Sequence, residues 1–201
     1  MLDRFTLPLF ARPHRAVAGA CIRVGLSANS VTIIGWVIGM LALPLTAFGQ
    51  FEAALAVILI NRFLDGVDGA MARTLGPTDR GAFLDIVCDF LFYAAVPLGF
   101  ALNNAAMNAL PAAVLLASFV GSGSTFLAYA AVAAKHGNVS PNYSNKAIFY
   151  LGGLTEGTET IIVFCLMCLL PIHFAIIAYM FAAACGVTTL TRLIVGAISL
   201  K

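Results

Sequence analysis

Six mainly apolar runs, most of them roughly 20 residues long, leave this chain few ways to fold. They cover about 30–49, 52–73, 81–102, 107–134, 147–170 and 173–199. About 20 such residues cross the hydrocarbon core of a bilayer as one helix. The breaks fall at Gly49-Gln50, at Gly76-Pro77-Thr78-Asp79, at Asn103-Asn104, between His136 and Asn145, and at Pro171. All have turn chemistry. Within lipid the backbone must satisfy its own hydrogen bonds, which helices do. The chain is 61% hydrophobic and 10% charged, whereas a soluble domain is about a quarter charged. The fold expected is all-α, a polytopic membrane bundle of six transmembrane helices over 30–199. No repeat or linker divides it, so 1–201 reads as a single domain.

The segment 1–26 differs from the rest. From Pro13 to Val24, Val17, Ala20, Cys21 and Val24 share one helical face, with Arg12, Arg15 and Arg23 opposite. Pro13 suits a first helical position. An amphipathic helix lying in the membrane interface is the expected form. Arg12, His14 and Arg15, with Pro8 and Pro13, interrupt any signal-peptide core. The basic residues orient the bundle. Arg4, Arg12, Arg15, Arg23, Arg73, Arg80, Lys135, Lys146 and Lys201 fall on one side. The loops near 50, 103–106 and 171–173 hold no Lys or Arg. Both termini are therefore expected in the cytoplasm, most simply across a bacterial inner membrane. The five cysteines mostly lie in apolar runs, where a thiol behaves as a small hydrophobe. Gly35-x-x-x-Gly39 and Gly153-x-x-x-Gly157 read as close helix packing.

Against this apolar background stand Asp65, Asp68, Asp85 and Asp89, four of the nine acidic residues. Carboxylates within a membrane span are costly and mark function. Asp65 and Asp68 share one helix face, and Asp85 and Asp89 share another. About a turn centred on Pro77, Asp65 falls level with Asp89 and Asp68 with Asp85. Like charges gathered so closely raise one another's pKa. Divalent cations resolve the conflict, and a two-ion clamp serves phosphoryl chemistry. The same spacing fits a proton or sodium relay in a transporter, or a structural pairing with Arg62 and Arg73. Gly69, Ala72, Arg73 and Gly81 favour phosphoryl chemistry. They open both helices to a ligand and offer it a guanidinium, and ion carriage needs none of them.

The pattern Asp65-x-x-Asp68-Gly69-x-x-Ala72-Arg73, seven residues, then Gly81-x-x-x-Asp85-x-x-x-Asp89 resembles the signature of the CDP-alcohol phosphotransferases, membrane enzymes of phospholipid synthesis. Ser27-Ala28-Asn29 with Thr32 resembles the family's Thr-Pro-Asn opening, with Ala in place of Pro. The resemblance implies that Asp65, Asp68 and Asp85 ligate metal. It implies that Asp89 is the catalytic base and a ligand of the second of two Mg2+ or Mn2+ ions. Asp68, Gly69, Ala72, Arg73 and Gly81 would bind the nucleotide. The reaction implied moves a phosphatidyl group from CDP-diacylglycerol to the hydroxyl of a small polar alcohol, releasing CMP. The alternative within the family joins CDP-choline or CDP-ethanolamine to a diradylglycerol. Membrane lipids and a second copy in a homodimer are the partners expected, and nucleic acid is not.

For the acceptor alcohol the candidate contacts are Lys146, Glu156, Glu159 and Arg192. Glu156 and Glu159 fall three apart near the middle of the fifth apolar run, where two carboxylates suit an amine or polyol better than a second phosphate. The other reading pairs them with Arg62 or Arg192 inside the bundle. Lys146 equally marks the membrane boundary, and Ser144 is a candidate helix cap.

Overall fold

The computed structural model describes residues 3–135 and 154–199, which are helical with no strand among them. The helices are α1 (Asp3–Arg23), α2 (Ala28–Met40), α3 (Ala42–Ala47), α4 (Phe51–Leu75), α5 (Asp79–Asn103) and α6 (Ala105–Lys135). After the undescribed segment come α7 (Gly157–Leu169), a short 3₁₀ turn (Pro171–His173) and α8 (Phe174–Ser199). Among the described residues, four stretches are long and apolar enough to cross a membrane: Ala28–Ala47, Asp79–Asn103, Ala105–Val132 and Pro171–Ile198. The chain is thus an all-helical membrane protein. α4 has 25 residues, about 37 Å of helix, but Glu52, Arg62, Asp65, Asp68 and Arg73 break its apolar character. Leu190, Leu193, Ile194 and Ile198 stand exposed on α8, as a lipid-facing surface requires.

α1 begins ten residues before the helix start expected at Pro13. Proline lacks an N–H and clashes with the preceding turn, but here the helix runs through both Pro8 and Pro13. Burial on α4 accounts for its inner face. Ala18 is buried with Val31, Val67, Ala70 and Met71.

α2 and α4 pack antiparallel and very close. A Cβ on Gly35 would lie 3.0 Å from Leu64 Cβ, and one on Gly39 would lie 2.8 Å from the Asn61 amide. Asn61 Nδ2 donates to the Gly35 carbonyl at 3.0 Å. The Gly35-x-x-x-Gly39 pattern is therefore a packing device. α3 and the end of α5 meet in the same way, with the Thr46 hydroxyl filling the space that a side chain on Gly99 would need. The α4–α5 turn is made at Gly76, whose φ of +97° suits glycine. Thr78 caps α5 by accepting from the Gly81 N–H at 3.1 Å. In the core, Phe100 stacks on Phe51 at 5.3 Å and on Phe174 at 4.5 Å. Cys168 and Cys185 are buried in that core as free thiols.

The structure corrects the placing of Glu156 and Glu159. They do not sit at mid-span. Glu156 is the N-cap of α7, and it forms a capping box with Glu159. The Glu159 carboxylate accepts from the Glu156 N–H at 3.2 Å. Hydropathy joined 147–170 into one run because the residues around the cap are apolar or small, and hydropathy does not register a cap. Lys146, Ser144, His136 and Gly153 lie outside the described residues.

Candidate active site

The hairpin of α4 and α5 carries its carboxylates into one pocket. Thr32, Gly35 and Trp36 of α2 line it, with Asn61, Asp65 and Asp68 of α4 and Asp85, Cys88 and Asp89 of α5. Ligand oxygens of Asp65, Asp68 and Asp85 lie within 4.8 Å of one another. Asp65 and Asp85 thus approach each other across the hairpin. Asp89 lines the same pocket outside that trio. Counting from the turn gives relative depth but not the direction each side chain takes around its helix, so it does not tell which three carboxylates come closest together.

Charges and caps fix these groups. Arg62, one turn before Asp65, holds the Asp65 Oδ2 at 2.6 Å through Nη1. On its other side, Arg62 Nη2 lies 3.4 Å from where a Cβ on Gly157 would stand, with the Tyr93 hydroxyl 3.5 Å from the same point. Arg62 thereby joins the aspartates to the start of α7. The Arg73 guanidinium folds back over Gly69, 3.4 Å from the position of a Cβ there. Gly81 faces the Asn29 Oδ1 at 3.1 Å, again measured from a Cβ position. The Ser27-Ala28-Asn29 opening, which sequence joined to the motif only by resemblance, thus meets α5 at the motif glycine.

His14 of α1 also reaches this hairpin. Its ring occupies the space that a side chain on Gly66 would need. It lies 5.0 Å from the Phe63 ring and 5.9 Å from that of Phe10. Burial holds the imidazole below its ordinary pKa, and the Arg62 charge adds to the effect. Sequence reading used His14 only as a break in a signal peptide.

A family model described as CDP-alcohol phosphatidyltransferase matches residues 26–191, which takes in every element of the pocket. The chain belongs to the CDP-alcohol phosphatidyltransferase family. Inner membrane protein YnjF of Escherichia coli is 51% identical, over 100% of this chain and 98% of that protein. The phosphatidylinositol phosphate synthase of Streptomyces avermitilis is 40% identical over 51% of this chain and 43% of its own length. Among solved structures, Mycobacterium tuberculosis phosphatidylinositol phosphate synthase with CDP-DAG bound superposes with a TM-score of 0.74. It covers 92% of this chain and 94% of the other, at 24% identity. The same synthase in complex with manganese and citrate gives 0.68 at 26% identity, covering 91% and 88%.

In this phosphatidyltransferase the pocket suits a divalent cation on its own chemistry. Three carboxylates converge, and the Asp68 Oδ2 is buried with no hydrogen-bond partner. A buried carboxylate oxygen without a donor is costly, and oxygen ligands of this kind are what Mg2+ and Mn2+ take. Of the acceptor candidates, Glu156, Glu159 and Arg192 are described, and none of them lines this pocket. Arg192 of α8 donates to the Ser122 carbonyl at 3.1 Å and lies 5.8 Å above the Phe126 ring. Its charge also interacts with that of Glu156. Glu156, Glu159 and Arg192 therefore join a polar seam of α6, α7 and α8, tied to the aspartates through Arg62. Trp36, Asn61 and Cys88 were not foreseen as pocket residues. Trp36 and Asn61 follow from the close approach that Gly35 and Gly39 allow, and Cys88 precedes Asp89.

Proposed function

We propose that this enzyme transfers the phosphatidyl group of CDP-diacylglycerol to the hydroxyl of a small polar alcohol and releases CMP. The convergence of Asp65, Asp68 and Asp85 within 4.8 Å, with the Asp68 Oδ2 unpartnered, carries the reading. These three residues, with Asp89, would hold two divalent cations. Such ions neutralise a pyrophosphate and make CMP a better leaving group. Gly69, Ala72, Arg73 and Gly81, with Asp68, form the nucleotide end of the site, where the helix surfaces are open and Arg73 can pair with the donor. Asp89 takes the proton of the acceptor hydroxyl. The freed oxygen bonds to the lipid-side phosphorus as the bond from that phosphorus to the CMP oxygen breaks. Lys146, Glu156, Glu159 and Arg192 are the proposed acceptor contacts.

The same reading sets the surroundings. Chain 1–201 is taken as one domain. Six spans are reached when α4 and the α7 region are added to the four apolar ones, with α1 lying in the interface on the basic side. Both termini and the α4–α5 turn then face the cytoplasm of a bacterial inner membrane, and two copies form a dimer. CMP and the alcohol exchange with water while the acyl chains stay in lipid.

The test is CMP release from CDP-diacylglycerol by purified protein with Mg2+ or Mn2+ and a panel of alcohols: glycerol 3-phosphate, inositol, inositol phosphate, serine and choline. Asp89→Asn should abolish transfer and largely spare nucleotide binding. Full turnover by that variant would remove the base assignment. Absence of CMP with every alcohol would favour an ion-coupled transporter instead.

A further inference from the structure

Trp36 is the chain's single tryptophan, and it faces two environments. Its ring packs against the main hydrophobic core, while it also lines the aspartate pocket. Its indole N–H is buried and has no hydrogen-bond partner. A buried tryptophan N–H ordinarily finds an acceptor, and leaving such a donor unmet is costly. Four carboxylates line the same pocket, yet none accepts this bond. The donor is therefore not one that orients an aspartate.

Helix directions give Trp36 its depth. α2 runs antiparallel to α4, as the Gly35–Leu64 and Gly39–Asn61 approaches establish. Asn29 and Gly81 meet at the end nearest the α4–α5 turn. Trp36 and Asn61 are thus at the end of the pocket remote from that turn. Gly69, Ala72, Arg73 and Gly81 are at the near end. A donor molecule whose nucleotide lies at the near end carries its lipid half toward Trp36.

We infer that the Trp36 N–H is a hydrogen-bond donor to an oxygen of the lipid half of the donor substrate, making Trp36 a binding residue for the phosphatidyl group. The oxygen belongs either to the lipid-side phosphate or to the acyl ester, and the inference rests on the CDP-diacylglycerol reading above. An indole suits that position, because its apolar body stays in the core while one polar edge meets the polar junction of a lipid.

The lone tryptophan is its own reporter. Full-length protein in nanodiscs of fixed lipid composition should be titrated with CDP-dioleoylglycerol, dioleoyl phosphatidic acid, dioleoylglycerol and CMP, each with Mg2+, while Trp36 emission is followed. Emission should move with CDP-dioleoylglycerol and phosphatidic acid and stay fixed with CMP. An added response to dioleoylglycerol would assign the ester oxygen, and none would assign the phosphate. Equal movement with CMP alone, or none with any lipid ligand, overturns the inference without any variant. Trp36→Phe keeps an aromatic ring and removes the N–H. It should raise the KM for CDP-diacylglycerol about tenfold, near the value of one hydrogen bond, with kcat changed less than threefold. An unchanged KM with a depressed kcat and a displaced pH profile would place the N–H on the catalytic base, and also overturns it. If wild-type protein responds to phosphatidic acid but never releases CMP, the proposed reaction fails while the lipid contact stands.

Discussion

Replacing Gly39 by alanine tests the packing on which the pocket rests. The added methyl would stand 2.8 Å from Asn61 Cγ and Nδ2 and 3.1 Å from its Cβ. Carbon atoms in good contact sit about 3.5–4.0 Å apart, so Asn61 must yield or α2 must back away. Overpacking of this size costs about 1–3 kcal/mol. If Asn61 swings aside, its 3.0 Å bond to the Gly35 carbonyl is lost, and a buried amide left unpaired costs a similar amount. Gly39→Ala should therefore lose about 1–3 kcal/mol by either route. Asn61→Ala alone should lose about 1–2 kcal/mol, from the bond and the gap it leaves. The double variant separates these effects, because the methyl on residue 39 then occupies space that Asn61 has vacated. Its loss should fall short of the summed single losses by at least about 1 kcal/mol. The assay is reversible unfolding in mixed micelles, followed by far-ultraviolet circular dichroism for all four proteins. Additivity within about 0.5 kcal/mol would refute the contact, and a neutral Gly39→Ala would refute the close approach itself.

Two further outcomes follow from charges beside the site. Arg62→Gln removes the 2.6 Å partner of Asp65, so protein without added metal should lose about 1–3 kcal/mol; unfolding titrations should show the deficit shrinking as Mn2+ is added, and a deficit indifferent to Mn2+ would exclude Arg62 as a balancing charge of this cluster. Because the folded state favours neutral His14, its contribution is complete above the unfolded pKa near 6.5 and drains away as pH falls through the lower folded value. Wild-type protein should therefore lose more thermal stability than His14→Phe between pH 7.5 and 5, and equal losses would show that the imidazole does not couple α1 docking to protonation.

How far the sequence reveals this molecule depends on which physical signal each part writes into it. Apolar length is additive along the chain, so the span limits at 28–47, 79–103 and 171–198 fall within a few residues of those expected. The carboxylates were legible because charge in an apolar helix is rare and regular spacing restricts which side chains share a face. Direction around a helix in a packed bundle depends on its neighbours, and so the trio that comes closest, Asp65, Asp68 and Asp85, is not legible from spacing. Glu156 escaped for another reason. Glutamate is not among the preferred N-cap residues, yet the 156/159 pair forms a reciprocal capping box; the i, i+3 spacing was visible, but its backbone partners were not.

Trp36 shows why a pocket is harder to read than a motif. Nothing in residues 27–40 marks residue 36 as polar in purpose, and a tryptophan in an apolar run normally signals packing or the membrane interface. Its role emerges from three facts that occupy different parts of the chain. Gly35 and Gly39 bring α2 against α4, the α4–α5 turn presents the aspartates to that seam, and the indole N–H is then buried without an acceptor. The signature on α4 and α5 specifies charge, whereas α2 supplies the wall that gives the charged site its depth. A change on α2 can therefore alter how the donor lipid is held without touching any residue of the signature.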